Sequence, residues 1–298
     1  MGHPPVTHYD DYPYPNPAQY RVEDIPNLRT ESAPRAETWE QWFPGEKPGP
    51  KRVLVVGCGV WEAIAIAAQE SLLDVIGIDS SARTIGIASG LAEQAGVKNV
   101  SFFHDNPCDW PHEGTKAYSS FDLVCASGVL HHIHTVEPVL RKLRQLMNPG
   151  ANIAVMVYGD RYREFLPVFC DMLRRLGVCR NAHGIKFVRG LLASLPPHHP
   201  VKEFVRTVDL YDAQVVDLFL HPYFRQYSAA DLIFLMERER FKFLRWLNPA
   251  CDFSLFEGLP AEFGDITSRF EQLSFIEKSR IGQIFTHADL KLAALFTR

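Results

Sequence analysis

The hydrophobic pattern of the chain changes character at Lys51. From there short apolar runs alternate with stretches of helical spacing. Arg52-Val53-Leu54-Val55-Val56 is a continuous apolar run of the kind buried on both faces of a parallel sheet, and helical spacing follows from Trp61 to Ser71. A second strand is predicted over Asp74 to Asp79, then a helix opening at Ser80/Ser81 and closed by Gly96, where a helix-ending glycine belongs. Further strands are predicted at Asn99 to Phe103, Phe121 to Ala126 and Ala151 to Tyr158, with a helix from Val136 to Met147. Regular strand and helix alternation predicts a doubly wound α/β sheet.

After Tyr158 the alternation stops, and residues about 160–227 read as helices and loops, including Glu164 to Leu176. This stretch is expected to be a helical lid inserted after strand five. A helix from Ala229 to Glu239, a strand from Phe241 to Leu247, a helical region from Phe263 to Ile284 and a strand from Lys291 to Thr297 then complete a seven-stranded sheet. Residues 1–50, rich in Pro, Tyr and acidic groups, are too broken by proline for long helices and too aromatic for a solvated tail. They are expected to form an N-terminal arm or cap on a main domain spanning 51–298.

Composition narrows the function classes. In 298 residues, 31 basic side chains against 35 acidic ones leave a net charge of -4, which requires neither nucleic acid nor an anionic membrane as partner. The longest apolar runs fall short of the ~20 residues that cross a bilayer. Met1-Gly2-His3-Pro4-Pro5-Val6 carries Val where a myristoylation signal has Ser or Thr, so the expected location is cytoplasmic. The six cysteines (Cys58, Cys108, Cys125, Cys170, Cys179 and Cys251) form no CxxC pair, so reduced thiols and no metal site are expected.

The first strand runs into Gly57-Cys58-Gly59 and opens directly into a helix, the place where an α/β sheet lets backbone approach a nucleotide-like ligand. Glycine is expected there because a side chain would occupy the ligand's space. Asp79, twenty residues after Gly59 at the end of the second strand, is placed to accept hydrogen bonds from two ribose hydroxyls. A dinucleotide is opposed by Glu62, which stands where the GxGxxG fingerprint needs Gly or Ala and sets a negative charge at the helix start. The pair of features therefore selects a neutral or cationic adenosine ligand.

These segments resemble the class I S-adenosylmethionine-dependent methyltransferases. The resemblance lies in Val53 to Gly59, Val75 to Ser81, Phe121-Asp122-Leu123-Val124, Ser127-Gly128-Val129-Leu130-His131-His132, and Leu140 to Met156 with Asn148-Pro149-Gly150. It implies S-adenosylmethionine as cofactor, with Gly57 and Gly59 under the methionine and ribose and Asp79 on the ribose hydroxyls. It further implies Asp105 on the adenine amino group and Ser127 and Gly128 beside the sulfonium, with Cys58, Ser80 and Asn106 completing that site. Trp61 stands where the family has a third glycine, so the loop turns away there or the indole covers part of the pocket.

For chemistry, His131 and His132 follow strand four at the ligand-binding edge of the sheet, where a histidine suits proton removal from an acceptor. His131 is the favoured base, since its position resembles that of an active-site acidic residue in related lipid-modifying members. Tyr12, Tyr14, His221, Arg225 and Tyr227 are the substrate candidates: aromatic or cationic residues on segments that add nothing to the sheet. The expected reaction is methyl transfer to N or O of a small molecule, with a protein side chain as alternative substrate. A catalytically silent adenosine-binding module, to which Trp61 points, is the alternative from another class.

Overall fold

Four branched or long apolar side chains in a row, Val53 to Val56, are fully buried because parallel strands flank them on both sides and helices cover both faces. The computed structural model describes residues 8–28, 30, 32–106, 109–110, 120–161, 163–206, 210–247, 260–285 and 291–298. Its strands are β1 Lys51–Val56, β2 Leu73–Asp79, β3 Val100–His104, β4 Phe121–Ser127, β5 Met147–Tyr158, β6 Lys242–Trp246 and β7 Lys291–Thr297. They form one seven-stranded sheet in the order β3-β2-β1-β4-β5-β7-β6, with β7 antiparallel to both neighbours and the ladders from β3 to β5 all parallel. The chain leaves β1 toward β2 and β3, then returns to place β4 on the other side. That reversal opens a crevice at the carboxyl ends of β1 and β4.

Helix α1 (Glu62–Gln69) covers one face with Ala63, Ile66 and Ala67, joined by Trp39, Trp42 and Phe43 of the N-terminal segment. On the other face lies α3 (Val136–Leu146), whose Val136, Val139, Leu140 and Leu143 recur at the spacing of a single helical stripe. Between them in sequence, α2 (Ala82–Gln94) is capped by Ser81, whose hydroxyl accepts from the Thr84 amide at 3.0 Å. Beyond β5, helices α4 (Phe165–Arg175), α5 (Ala182–Ser194), α6 (Pro200–Val205) and α7 (Asp212–Phe219) bury Leu166, Leu173, Val188 and Phe219 in an apolar cluster of their own. The insertion is pinned at its root, where Tyr227 N donates to Tyr158 O (2.9 Å) and Asp160 N to Tyr227 O (3.0 Å). Helix α8 (Ala229–Arg238) follows, then α9 (Gly264–Glu271) and α10 (Phe275–Phe285).

The sheet is the one the pattern predicts, with two local differences. Strand β5 begins at Met147 rather than Ala151, because Met147 already pairs with Phe121 before a register shift across Pro149-Gly150. The helical region near Phe263 is two helices, since the Ser274 hydroxyl accepts from the Glu277 amide and the Glu277 carboxylate from the Ser274 amide, a fresh start signal. The N-terminal segment lies against the sheet domain: Asp10 accepts from the Ser81 hydroxyl at 2.8 Å, and the Arg83 guanidinium donates to Asp10 O at 2.9 Å. Among the described residues no helix is long and apolar enough to cross a membrane.

Leu140 sits at the centre of the α3 stripe with no exposed surface. Leu140→Ala is expected to lower unfolding free energy by about 2–5 kcal/mol, read from urea denaturation followed by circular dichroism.

Candidate functional site

A cavity of about 630 Å³ opens at the crevice between β1 and β4 and continues beneath the N-terminal segment and the helical insertion. Its near wall is the turn after β1. Gly57 and Gly59 adopt φ of +62° and +57°, a conformation that disfavours any side chain. The close neighbours are parts of the chain itself. A Cβ on Gly57 would lie 2.4 Å from Val129 Cγ2, and one on Gly59 would lie 2.9 Å from Tyr14 O. The glycines are therefore demanded by the chain's own packing, a side chain over Gly57 and a main-chain carbonyl over Gly59, and not by ligand space alone as the sequence suggests.

Asp79 closes this wall from the end of β2. Its Oδ2 accepts from Gly59 N at 3.1 Å and its Oδ1 from Ser81 N at 2.9 Å, while burial raises its pKa against the opposing pull of these bonds. Cys58, Ser80, Asn106, Ser127 and Gly128 also line the cavity, and burial pushes the Cys58 thiol well up. Asp105 does not line it: its Oδ1 accepts from the Asn106 amide at 2.8 Å, and Asn106 is the residue presented instead. Trp61 leans onto the N-terminal segment, stacked on Tyr20 at 5.2 Å between ring centroids, and both rings form cavity wall.

Glu62, one residue further, is pushed up to about 7 by burial, against hydrogen bonds from Ser32 and Ser127 and the charge of Lys291. The sequence presents it only as an obstacle to a pyrophosphate. In the structure it is a cavity-lining carboxyl poised to titrate near neutrality.

The far wall gathers residues from four segments. Asp217 of α7 is buried, and it accepts from Tyr9 Oη at 3.0 Å and from Tyr158 Oη at 2.8 Å. His132 places Nε2 at 3.6 Å from Asp217 Oδ1, and its Nδ1 lies 3.1 Å from Tyr223 O. A carbonyl only accepts, so Nδ1 carries the proton and Nε2 the lone pair. Burial lowers the His132 pKa, with Asp217 opposing, which keeps the ring neutral at pH 7. The His221 ring lies 3.8 Å from that of His132, tilted by 30°, and Tyr14, Arg163 and Gln214 complete this end.

Of the two adjacent histidines it is His132 that faces the cavity, which corrects the preference for His131. The 3-10 turn Leu130–His132 directs His131 inward, where it is 0% exposed, stacked on Tyr158 at 3.8 Å, and has no hydrogen-bond partner for either ring nitrogen. Of the five substrate candidates, Tyr14 and His221 line the cavity and three do not. Tyr12 packs on the insertion's apolar cluster, Tyr227 is core, and Arg225 lies over the Tyr227 ring at 4.9 Å while its amide donates to His131 O at 2.8 Å. Asp217 and Tyr158 were missed, though both left a signal. Asp217 is a lone carboxylate inside the apolar run Val215-Val216-Asp217-Leu218-Phe219, and Tyr158 ends β5 at the ligand-binding edge.

A family model described as a methyltransferase domain matches residues 54–153, the strands and turns that build the near wall. Over those residues, about a third of the chain, the protein is similar to a methyltransferase domain. Norajmaline N-methyltransferase from Rauvolfia serpentina is 26% identical over 157 residues, 48% of this chain and 52% of that one. Ajmaline N-methyltransferase from the same plant is 28% identical over 113 residues, 38% of each. The match thus spans about half or less of these curated relatives. Among solved structures, PKMT2 from Rickettsia typhi superposes with a TM-score of 0.62 at 18% identity, covering 99% of this chain and 54% of that one. Its complex with AdoHcy gives 0.61 at 16% identity, with the same coverage. That complex holds AdoHcy, the demethylated form of S-adenosylmethionine. The near wall fits it: a glycine turn bare of side chains faces a buried carboxylate one strand away.

Glu62 gives a test of the near wall. A carboxyl held near 7 in the fold and near 4.5 when unfolded contributes fully below 4.5, and that contribution is lost as pH rises through 7. Glu62→Gln is therefore expected to raise the melting temperature of the ligand-free protein at pH 8.5, by about 2–4 °C per kcal/mol relieved, with no gain at pH 4.5.

Proposed function

We propose that the methyltransferase moves the methyl group of S-adenosylmethionine to a nitrogen or oxygen of a small molecule. One observation carries this reading. A single cavity runs from Gly59 and Asp79 to Asp217 and His221, and the far-wall polar groups are buried, within reach of a molecule that enters whole. The N-terminal segment acts as a cap and the helical insertion as a lid. Their rings, among them Tyr9, Tyr14 and Tyr20, suit an apolar, flat acceptor. The two plant relatives are named N-methyltransferases, which supports nitrogen as the accepting atom.

In this reading the Gly57-Cys58-Gly59 backbone and Asp79 hold the ribose, Ser80 and Asn106 the adenine side, and Ser127 and Gly128 the methionine side. The sulfonium supplies a methyl carbon already activated for attack. The chain's own task is to orient the acceptor, exclude water and dispose of its proton. His132 is the base, because it lines the cavity, its Nδ1 proton is engaged by the Tyr223 carbonyl and its ring is neutral at pH 7. A proton taken by Nε2 lies beside Asp217, whose carboxylate stabilises the imidazolium and is itself held by Tyr9 and Tyr158.

Calorimetry with AdoHcy tests the cofactor half. Asp79→Ala is expected to weaken binding by at least about 100-fold, the loss of two charge-assisted hydrogen bonds at ~1.5–3 kcal/mol each. Incubation of a cell extract with methyl-labelled cofactor should place the label in the small-molecule fraction; label confined to protein would overturn the acceptor assignment.

With the acceptor so identified, kcat is expected to be flat above pH 7 and to fall as pH drops through the His132 pKa, below its ordinary 6.5. His132→Gln should remove that limb and lower kcat by about 10²–10⁴-fold.

A further inference from the structure

We propose that the acceptor carries an oxyanion, a carboxylate or a phosphate, held by Arg163 and His221 in addition to the atom that receives the methyl group. The proposal rests on the methyl-transfer reading of the same cavity and names the class of its substrate.

Asp217 and Arg163 stand in the far wall, and they differ in what they still need. Asp217 already accepts from two phenols, at 3.0 and 2.8 Å, with His132 at ion-pair distance. Arg163 is 2% exposed, lines the cavity and shares a side-chain hydrogen bond with Tyr158, yet its Nε and Nη1 have no acceptor among the described residues. The guanidinium lies 4.0 Å from the centre of the Tyr158 ring, and its backbone carbonyl accepts from Leu166 N at 2.9 Å and Gln226 Nε2 at 2.7 Å. The Tyr158 hydroxyl and the Asp217 carboxylate favour the charge of this guanidinium but leave Nε and Nη1 unpaired, and a buried donor without an acceptor is costly, so these two N–H groups suit a negative group brought by the ligand.

His221 adds an independent second donor. Its Nδ1 accepts from Tyr223 N at 3.1 Å, and burial holds the ring neutral, so the proton sits on Nε2. That Nε2–H is buried on the cavity wall with no acceptor. Both unsatisfied polar groups of this wall are therefore donors. An oxyanion answers them, whereas a purely cationic acceptor leaves them unpaired and adds positive charge beside Arg163.

The test is calorimetric titration of the protein, with and without AdoHcy, using benzoate, phenyl phosphate, benzamide and benzylamine. At least one anion is expected to bind about tenfold or more tightly than benzamide, the effect of a hydrogen bond to a charged group. Benzoate ahead of phenyl phosphate assigns a carboxylate, and the reverse assigns a phosphate. Arg163→Gln should bring the preferred anion to within about twofold of benzamide, Arg163→Lys should keep part of the preference, and His221→Phe should reduce it. If Arg163→Gln fails to fold by circular dichroism, the other two variants carry the test. The proposal is overturned if neither anion binds the unmodified protein, if benzylamine binds tightest, or if the variants leave the preference unchanged. Failure of AdoHcy to bind would sink the methyl-transfer reading instead, since the titrations without AdoHcy still report on Arg163.

Discussion

The Asp79 carboxylate ties the carboxyl ends of two neighbouring strands together. One oxygen holds the turn after β1 through Gly59 N and the other holds the start of α2 through Ser81 N. A carboxylate buried at a strand end needs such donors, and burial alone raises its pKa. Satisfying it with main-chain amides fixes the turn at positive φ, brings Tyr14 against Gly59 and sets where the N-terminal segment can lie. The near wall follows from that arrangement, and the far wall is hung from the other strand ends around it.

Much of this was legible in the residues. Continuous apolar runs such as Val53 to Val56 occur in few contexts besides a covered parallel sheet, and the glycine turn with Asp79 twenty positions later fits a ligand edge. Strand alternation and the period-3.6 stripe of α3 follow from local physics, so they survive without knowledge of the fold.

The far wall was less legible because it is assembled from distant segments. Tyr9, His132, Tyr158, Asp217 and His221 come together only once the insertion has packed, and a tyrosine on a proline-rich segment carries no mark of the carboxylate it will meet 208 positions away. The choice between His131 and His132 depends on the sense of one 3-10 turn, which spacing alone leaves open. Arg225 beside tyrosines is a plausible anion clamp by composition, yet it rests on Tyr227, while the cavity's guanidinium comes from Arg163 at the root of the insertion.

The press of Tyr14 O and Pro15 upon Gly59 carries a thermodynamic corollary. A turn that touches the N-terminal segment and also lines the cavity couples that segment to whatever the cavity holds, and coupling free energies are reciprocal. Whatever occupancy of the turn contributes to docking of the segment, docking returns in equal measure to occupancy, so loosening the segment at Tyr14 and Pro15 would register as a change in ligand affinity.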